Sequence, residues 1–100
     1  MDRYQQWQAK KDNDDAVAWS AKAGRVPKFS KPVKLLFKWV EPNRKRDLDN
    51  VAFGKKFVQD GLVKAGVLTN DTHHEIAGFE DSFAYDKLNP RIEVTITDEL

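Results

Sequence analysis

Apolar and polar positions alternate most regularly near the middle of the chain, where Val33, Leu35, Phe37 and Trp39 interleave with Lys34, Leu36, Lys38 and Val40. A period of two marks a strand with one buried face, so a strand is predicted here. Glu41-Pro42-Asn43 ends it, because proline brings no donor to a sheet ladder and favours a turn. Upstream, Tyr4, Trp7, Val17, Ala18 and Trp19 are the apolar anchors of a segment, Tyr4 to Ala23, that reads as helical, with Gly24 as its stop. Asp12-Asn13-Asp14-Asp15 favours caps over helix interiors and offers a break into two helices. Pro27 and Pro32 bracket the connector to the strand.

Beyond the turn the period changes. From Asp49 to Ala65, Gly54, Phe57, Val58, Gly61, Leu62 and Ala65 recur at spacings of three and four, the pattern of a helix with one buried stripe, and Gly66 stands at the C′ position. Gly54 and Gly61 on that stripe each cost about 1 kcal/mol of helix propensity, which points to close backbone packing against a sheet. Ile76 to Phe83 and Arg91 to Thr97 read as two further strands, joined across Asp86-Lys87-Leu88-Asn89-Pro90 as a hairpin-like pair, with Ile92, Val94 and Ile96 on the buried side. The expected architecture is a two-layer α+β domain. Trp7, Trp19 and Trp39 fall at helical and strand periodicity and are expected to pack in the core rather than stack on bases.

With 100 residues, 40% of them hydrophobic, the chain supports one compact domain. No stretch reaches the roughly 20 apolar residues of a membrane helix, and Met1-Asp2-Arg3-Tyr4 opens no signal peptide, so a soluble, cytoplasmic protein is expected. The absence of cysteine removes disulfides, thiolate metal sites and cysteine nucleophiles, leaving oxygen and imidazole ligands and, by default, hard cations. A net charge of +1 conceals an uneven distribution. Lys22, Arg25, Lys28, Lys31, Lys34 and Lys38, then Arg44, Lys45 and Arg46, face the single acid Glu41, a candidate polyanion surface. From Asp71 onward acids dominate, with only Lys87 and Arg91 opposing them.

Asp47-Leu48-Asp49 carries the clearest chemistry. Residues two apart on extended chain project to one side, so both carboxylates can approach one cation; on a regular helix they would diverge by about 200°. Capping of the helix that follows is the plainer role for either acid. Arg44, Lys45 and Arg46 directly precede the pair and could hold a phosphodiester beside a metal. Along the helix Asp49, Phe53, Lys56 and Asp60 share a stripe, which aims Lys56 toward the metal side, where it could offset charge in a transition state. Asp71 lies in the loop after the helix, and its reach to the other acids is left open. His73-His74 with Glu75 suggests a base or a zinc ligand, but adjacent strand residues point to opposite faces, and a surface or turn role fits better. No phosphate loop, nucleophile elbow or serine triad is present.

The string Arg44-Lys45-Arg46-Asp47-Leu48-Asp49-Asn50, followed by Gly61-Leu62-Val63-Lys64-Ala65-Gly66-Val67-Leu68-Thr69-Asn70-Asp71, resembles the signature of the RusA family of crossover junction endodeoxyribonucleases, especially its phage-type members. Asn89-Pro90-Arg91-Ile92-Glu93-Val94-Thr95-Ile96 is similar to the family's closing strand. The resemblance implies a mixed sheet of about three to four strands with a central helix and an N-terminal helix. It also implies a homodimer that binds a four-way DNA junction and nicks it in symmetric pairs with Mg²⁺. Asp47, Asp49 and Asp71 match the metal-binding carboxylates, and Lys56, allowing a short insertion early in the helix, matches the catalytic lysine, with Lys55 as the competing assignment. Arg44, Lys45, Arg46 and Lys55 are the DNA-binding candidates. Family members usually open with an extended strand, whereas this chain is expected to start near its first helix. A silent DNA-binding protein of the same fold and a nuclease of flaps or single strands are the rival functions.

Overall fold

The structure, a computed structural model, describes residues 4–9, 14–45, 47–48, 54–70, 72 and 74–98. In chain order the elements are β1 (Tyr4–Ala9), α1 (Asp14–Ala23), β2 (Val33–Glu41), α2 (Lys55–Lys64), β3 (Ile76–Tyr85) and β4 (Arg91–Thr97). The four strands form one mixed sheet in the order β1-β4-β2-β3. β2 and β3 run parallel, and β4 is antiparallel to both its neighbours. The α+β fold agrees with expectation.

β2 is the spine. Val33, Leu35, Phe37 and Trp39 are all at most 1% exposed, as their alternation predicts. They pack with Ile92, Val94 and Ile96 of β4, Val17 and Ala21 of α1, and Val58 and Leu62 of α2, so both helices cover one face of the sheet. Phe37 and Trp39 stack at 5.2 Å between centroids. β2, α2 and β3 make a β-α-β unit, the usual way to join neighbouring parallel strands.

Three expectations are corrected. The N-terminal segment is not helical throughout, because Tyr4–Ala9 is a strand paired along its length with β4, from Tyr4 opposite Thr97 to Ala9 opposite Ile92. A strand therefore precedes the first helix. Tyr4 and Trp7 suit a helix by spacing and a strand by type, and the second edge of β4 supplies backbone partners that local spacing does not reveal. β3 and β4 are both strands but not a hairpin, since β2 lies between them and the connection passes over its end, where the Asp86 N–H donates to the Glu41 carbonyl at 2.8 Å. Trp19 is 65% exposed, on the outer side of α1, rather than in the core.

The described helix after the basic turn runs Lys55–Lys64, with Gly54 at its N-cap, and residues 49–53 of the predicted span lie outside the described residues. Val58, Gly61 and Leu62 form its buried face, Phe57 is exposed, and its closest partner element is α1 rather than the sheet. Both helices end in the same two-bond motif. At α2 the Gly66 N–H donates to the Val63 carbonyl and the Val67 N–H to that of Leu62, with Gly66 at φ 77°. At α1 the Arg25 N–H donates to Lys22 and the Val26 N–H to Ala21, but here an arginine holds the left-handed position at φ 56°. Gly24 is one residue short of the position that most favours glycine.

Candidate active site

The chemistry predicted from the sequence follows the C-terminal end of β2. There the Asn43 side-chain oxygen accepts the Lys45 N–H at 2.9 Å, closing a turn that asparagine makes readily. The turn lays the Arg44 guanidinium over the Tyr85 ring at the end of β3, 4.7 Å from its centroid. Lys45, Asp47 and Leu48 are exposed. Arg46, Asp49 and Asp71 lie outside the described residues, as does His73. Among the described residues no group of three or more histidines and acids is placed to hold a metal ion. Two of the three predicted ligands fall outside that set.

The two lysines at the start of α2 diverge. Lys55 folds onto the sheet: its ammonium donates to Asp81 Oδ2 at 2.8 Å and sits 4.8 Å above the Phe79 ring and 5.6 Å from that of Phe37. The other oxygen, Asp81 Oδ1, accepts the Trp39 indole N–H at 2.9 Å. Trp39 is buried, and the Lys55 and Asp81 side chains are 23% and 28% exposed, so the cation is held by a partly dry, two-point anchor. Lys56 instead pairs with Asp60, one turn along, at 3.1 Å, and its side chain is 65% exposed.

Asp81, Trp39 and Lys55 were not joined by sequence reasoning. The signal was there: Phe79, Asp81 and Phe83 alternate on β3, which puts an acid on the same side as two aromatic rings. Register settles the match, placing Asp81 opposite Phe37 and Phe83 opposite Trp39.

A second polar network braces the crossover from β3 to β4. Asp86 Oδ1 accepts the Leu88 and Asn89 N–H groups, and Oδ2 accepts from Arg91, which also donates to Glu93 at 2.8 Å. The Leu88 N–H and the Arg91 guanidinium hold the Asp86 carboxyl below its ordinary range, and Glu93 and Asp86 raise Arg91 further. Glu41, 4% exposed, and Asp98, 9% exposed, are buried acids with partners of their own.

His74 is exposed and lies at the opposite end of the β2–β3 pair, where β3 begins beside Val33. Asn70 and Thr72, which flank Asp71, belong to this segment, and the Thr72 carbonyl accepts the Glu75 and Ile76 N–H groups.

The described helices include none long and apolar enough to cross a membrane. No curated protein matches the chain closely enough to serve as a relative. The family model described as Endodeoxyribonuclease RusA matches residues 3–97, nearly the whole chain and every element of the sheet. The basic turn with Asp47, the β-α-β unit and this match agree: the chain belongs to the RusA endodeoxyribonuclease family, whose members cleave DNA.

Proposed function

We propose that the chain is a homodimeric, Mg²⁺-dependent endonuclease that resolves four-way DNA junctions by paired symmetric nicks. The observation that carries this reading is the family match over residues 3–97, whose span includes Asp47 directly after the cationic turn of Arg44 and Lys45. Asp47 and Asp49 would hold the metal with Asp71, and three carboxylates suit a hard divalent cation, since every donor is an anionic oxygen; because Asn70 and Thr72 stand at the other end of the β2–β3 pair from Asp47, the proposed dimer would have to bring the Asp71 of a second copy to the first two acids. When bound, such an ion supplies Lewis acidity for the attacking water and offsets charge on the phosphodiester.

The protein's own groups do the rest. Arg44 and Lys45 attract and orient the phosphate, Arg44 from a position fixed by Tyr85. Lys55, anchored by Asp81 midway along the β2–β3 pair, offers a localised positive charge, while Lys56 stands one residue further on with Asp60. In the reaction the water oxygen bonds to phosphorus, one ester P–O bond breaks, and the strand ends as a phosphate and a hydroxyl, with a proton released.

Incubating the protein with a synthetic four-way junction, a flap and a linear duplex in Mg²⁺ tests the proposal in one assay. Symmetric nicks in the junction alone are expected. Cleavage confined to flaps, or binding without cleavage, would overturn it. Sedimentation at micromolar concentration tests the dimer on which paired nicking depends.

A further inference from the structure

The loop that crosses from β3 to β4, Asp86-Lys87-Leu88-Asn89-Pro90, has no glycine and is fastened at both ends. At its start the Asp86 N–H donates to the Glu41 carbonyl at 2.8 Å, and Asp86 Oδ1 accepts the Leu88 and Asn89 N–H groups at 3.1 and 3.2 Å. At its finish the Arg91 guanidinium reaches back to the Asn89 carbonyl at 2.9 Å and to Asp86 Oδ2 at 3.1 Å, and Pro90 fixes its own φ. This braced backbone holds Leu88 out in solvent, 93% exposed. No other exposed large hydrophobic among the described residues exceeds the 65% of Trp19. A lone exposed leucine carries no message by itself. Its place in the fold supplies one.

The tip stands at the end of the β2–β3 pair that carries the proposed chemistry. Arg44 lies over the Tyr85 ring, 4.7 Å from its centroid. Asp47 is three residues beyond Arg44 and Leu88 three beyond Tyr85, so each Cα is within about 11 Å of that of its own member of this contact. The acids of the tip do not repel phosphate, because Arg91 pairs with both Asp86 and Glu93, and the exposed Lys87 balances the charge that remains. A single side chain covers far less than the roughly 800 Å² that each partner brings to a stable protein contact, so a second copy is the poorer occupant.

We infer that Leu88 is a wedge that enters the base stack at the branch point of the DNA and sets the preference for branched over linear substrate. The inference rests on the nuclease reading and adds the residue that recognises the branch. Stacking is already interrupted where strands exchange, so an apolar side chain enters there at the least cost, whereas a continuous duplex must first be opened. A leucine on a backbone that is already ordered gives up little further freedom on entering.

The test compares the wild-type chain with Leu88→Ala and Leu88→Met. A four-way junction carries 2-aminopurine beside its branch point, a linear duplex carries it mid-strand, and both are titrated without Mg²⁺. Wild-type protein should brighten the junction probe and leave the duplex probe unchanged. Leu88→Ala should lose that signal and bind the junction about tenfold more weakly, with duplex affinity within about twofold, and Leu88→Met should keep most of both. Because the side chain lies almost wholly in solvent, urea midpoints should match. Single-turnover junction nicking in Mg²⁺ follows the nuclease reading separately. A junction probe that brightens equally with Leu88→Ala, or an equal loss of affinity for both DNAs, would overturn the inference while wild-type nicking stands. So would a Leu88→Ala chain that sediments as a smaller species than wild type, since that gives the residue to the contact between copies. A wild-type chain that neither binds nor nicks the junction would remove both readings.

Discussion

The two ends of the β2–β3 pair handle positive charge in opposite ways. Where the strands begin, Lys28 and Lys31 ride on a loop whose backbone is fastened but whose ammonium groups make no ion pair among the described residues. Where they finish, Arg44 lies against the Tyr85 ring, and midway along the pair Lys55 is held by Asp81, while Lys45 makes no ion pair among the described residues. Loose cations on an ordered backbone lend attraction, which tolerates imprecision. Anchored cations lend position, which catalysis requires to within a fraction of an ångström. On the proposed function, the anchored cations orient the phosphodiester and the loose ones add attraction.

The sharpest way to break that division is Asp47→Asn. Nicking should fall by about three orders of magnitude or more while junction affinity stays within roughly threefold, because binding rests on the basic surface. Single-turnover assays beside gel shifts measure both, and a variant that cuts normally would contradict the assignment. Next comes the choice between lysines. Lys55→Ala should slow nicking about ten- to a hundredfold and Lys56→Ala only a few-fold, since Lys55 alone is fixed against the sheet; the reverse order would give the role to Lys56. Trp39→Phe keeps the ring in the core but removes the donor to Asp81. A stability loss of about 1 kcal/mol in urea unfolding is expected, with a smaller fall in nicking than for Lys55→Ala.

Arg25→Gly probes one of the loose cations. Relieving the left-handed arginine should raise stability by up to about 1 kcal/mol and weaken duplex binding about twofold. Gain in both properties would show that the cation does nothing for DNA. The smallest effect concerns the brace on the crossover from β3 to β4. Asp86 titrates below its ordinary value of 3.8, so its contribution to stability is complete above that pH and is lost as pH falls through the lowered value. Asp86→Asn should flatten the acid limb of the stability curve below about pH 4 and leave its shape at neutral pH alone; an unchanged acid limb would mean the carboxylate is held equally in the unfolded chain.

Much of the scaffold could be read from local pattern. β2 announced itself through strict alternation, and α2 through Gly66, because a left-handed C′ residue is a local requirement with a local solution. What escaped depends on partners distant in sequence. β1 is a strand because β4, almost ninety residues on, offers it an edge, as the Tyr4 to Thr97 pairing shows. β3 and β4 looked like a hairpin because five residues can join one, yet β2, buried on its helix-facing side, takes the place between them. The site divides in the same way. Arg44, Lys45 and Asp47 were legible as a contiguous string, while the Lys55, Asp81 and Trp39 anchor needed the strand register. Trp19 shows the limit of spacing arguments: Val17 and Ala21 on α1 are buried, and the tryptophan between them is turned to solvent.

The strand order also carries a consequence for biogenesis. β1 is made well before β4, but each is the other's neighbour, so the chain as far as Thr97 must leave the ribosome before β1 can dock along its full length. Until then β2, α2 and β3 can assemble from contacts nearer in sequence. Closure of the sheet therefore waits on the pairing most separated in sequence among the described strands, and its formation should be the slow phase of refolding.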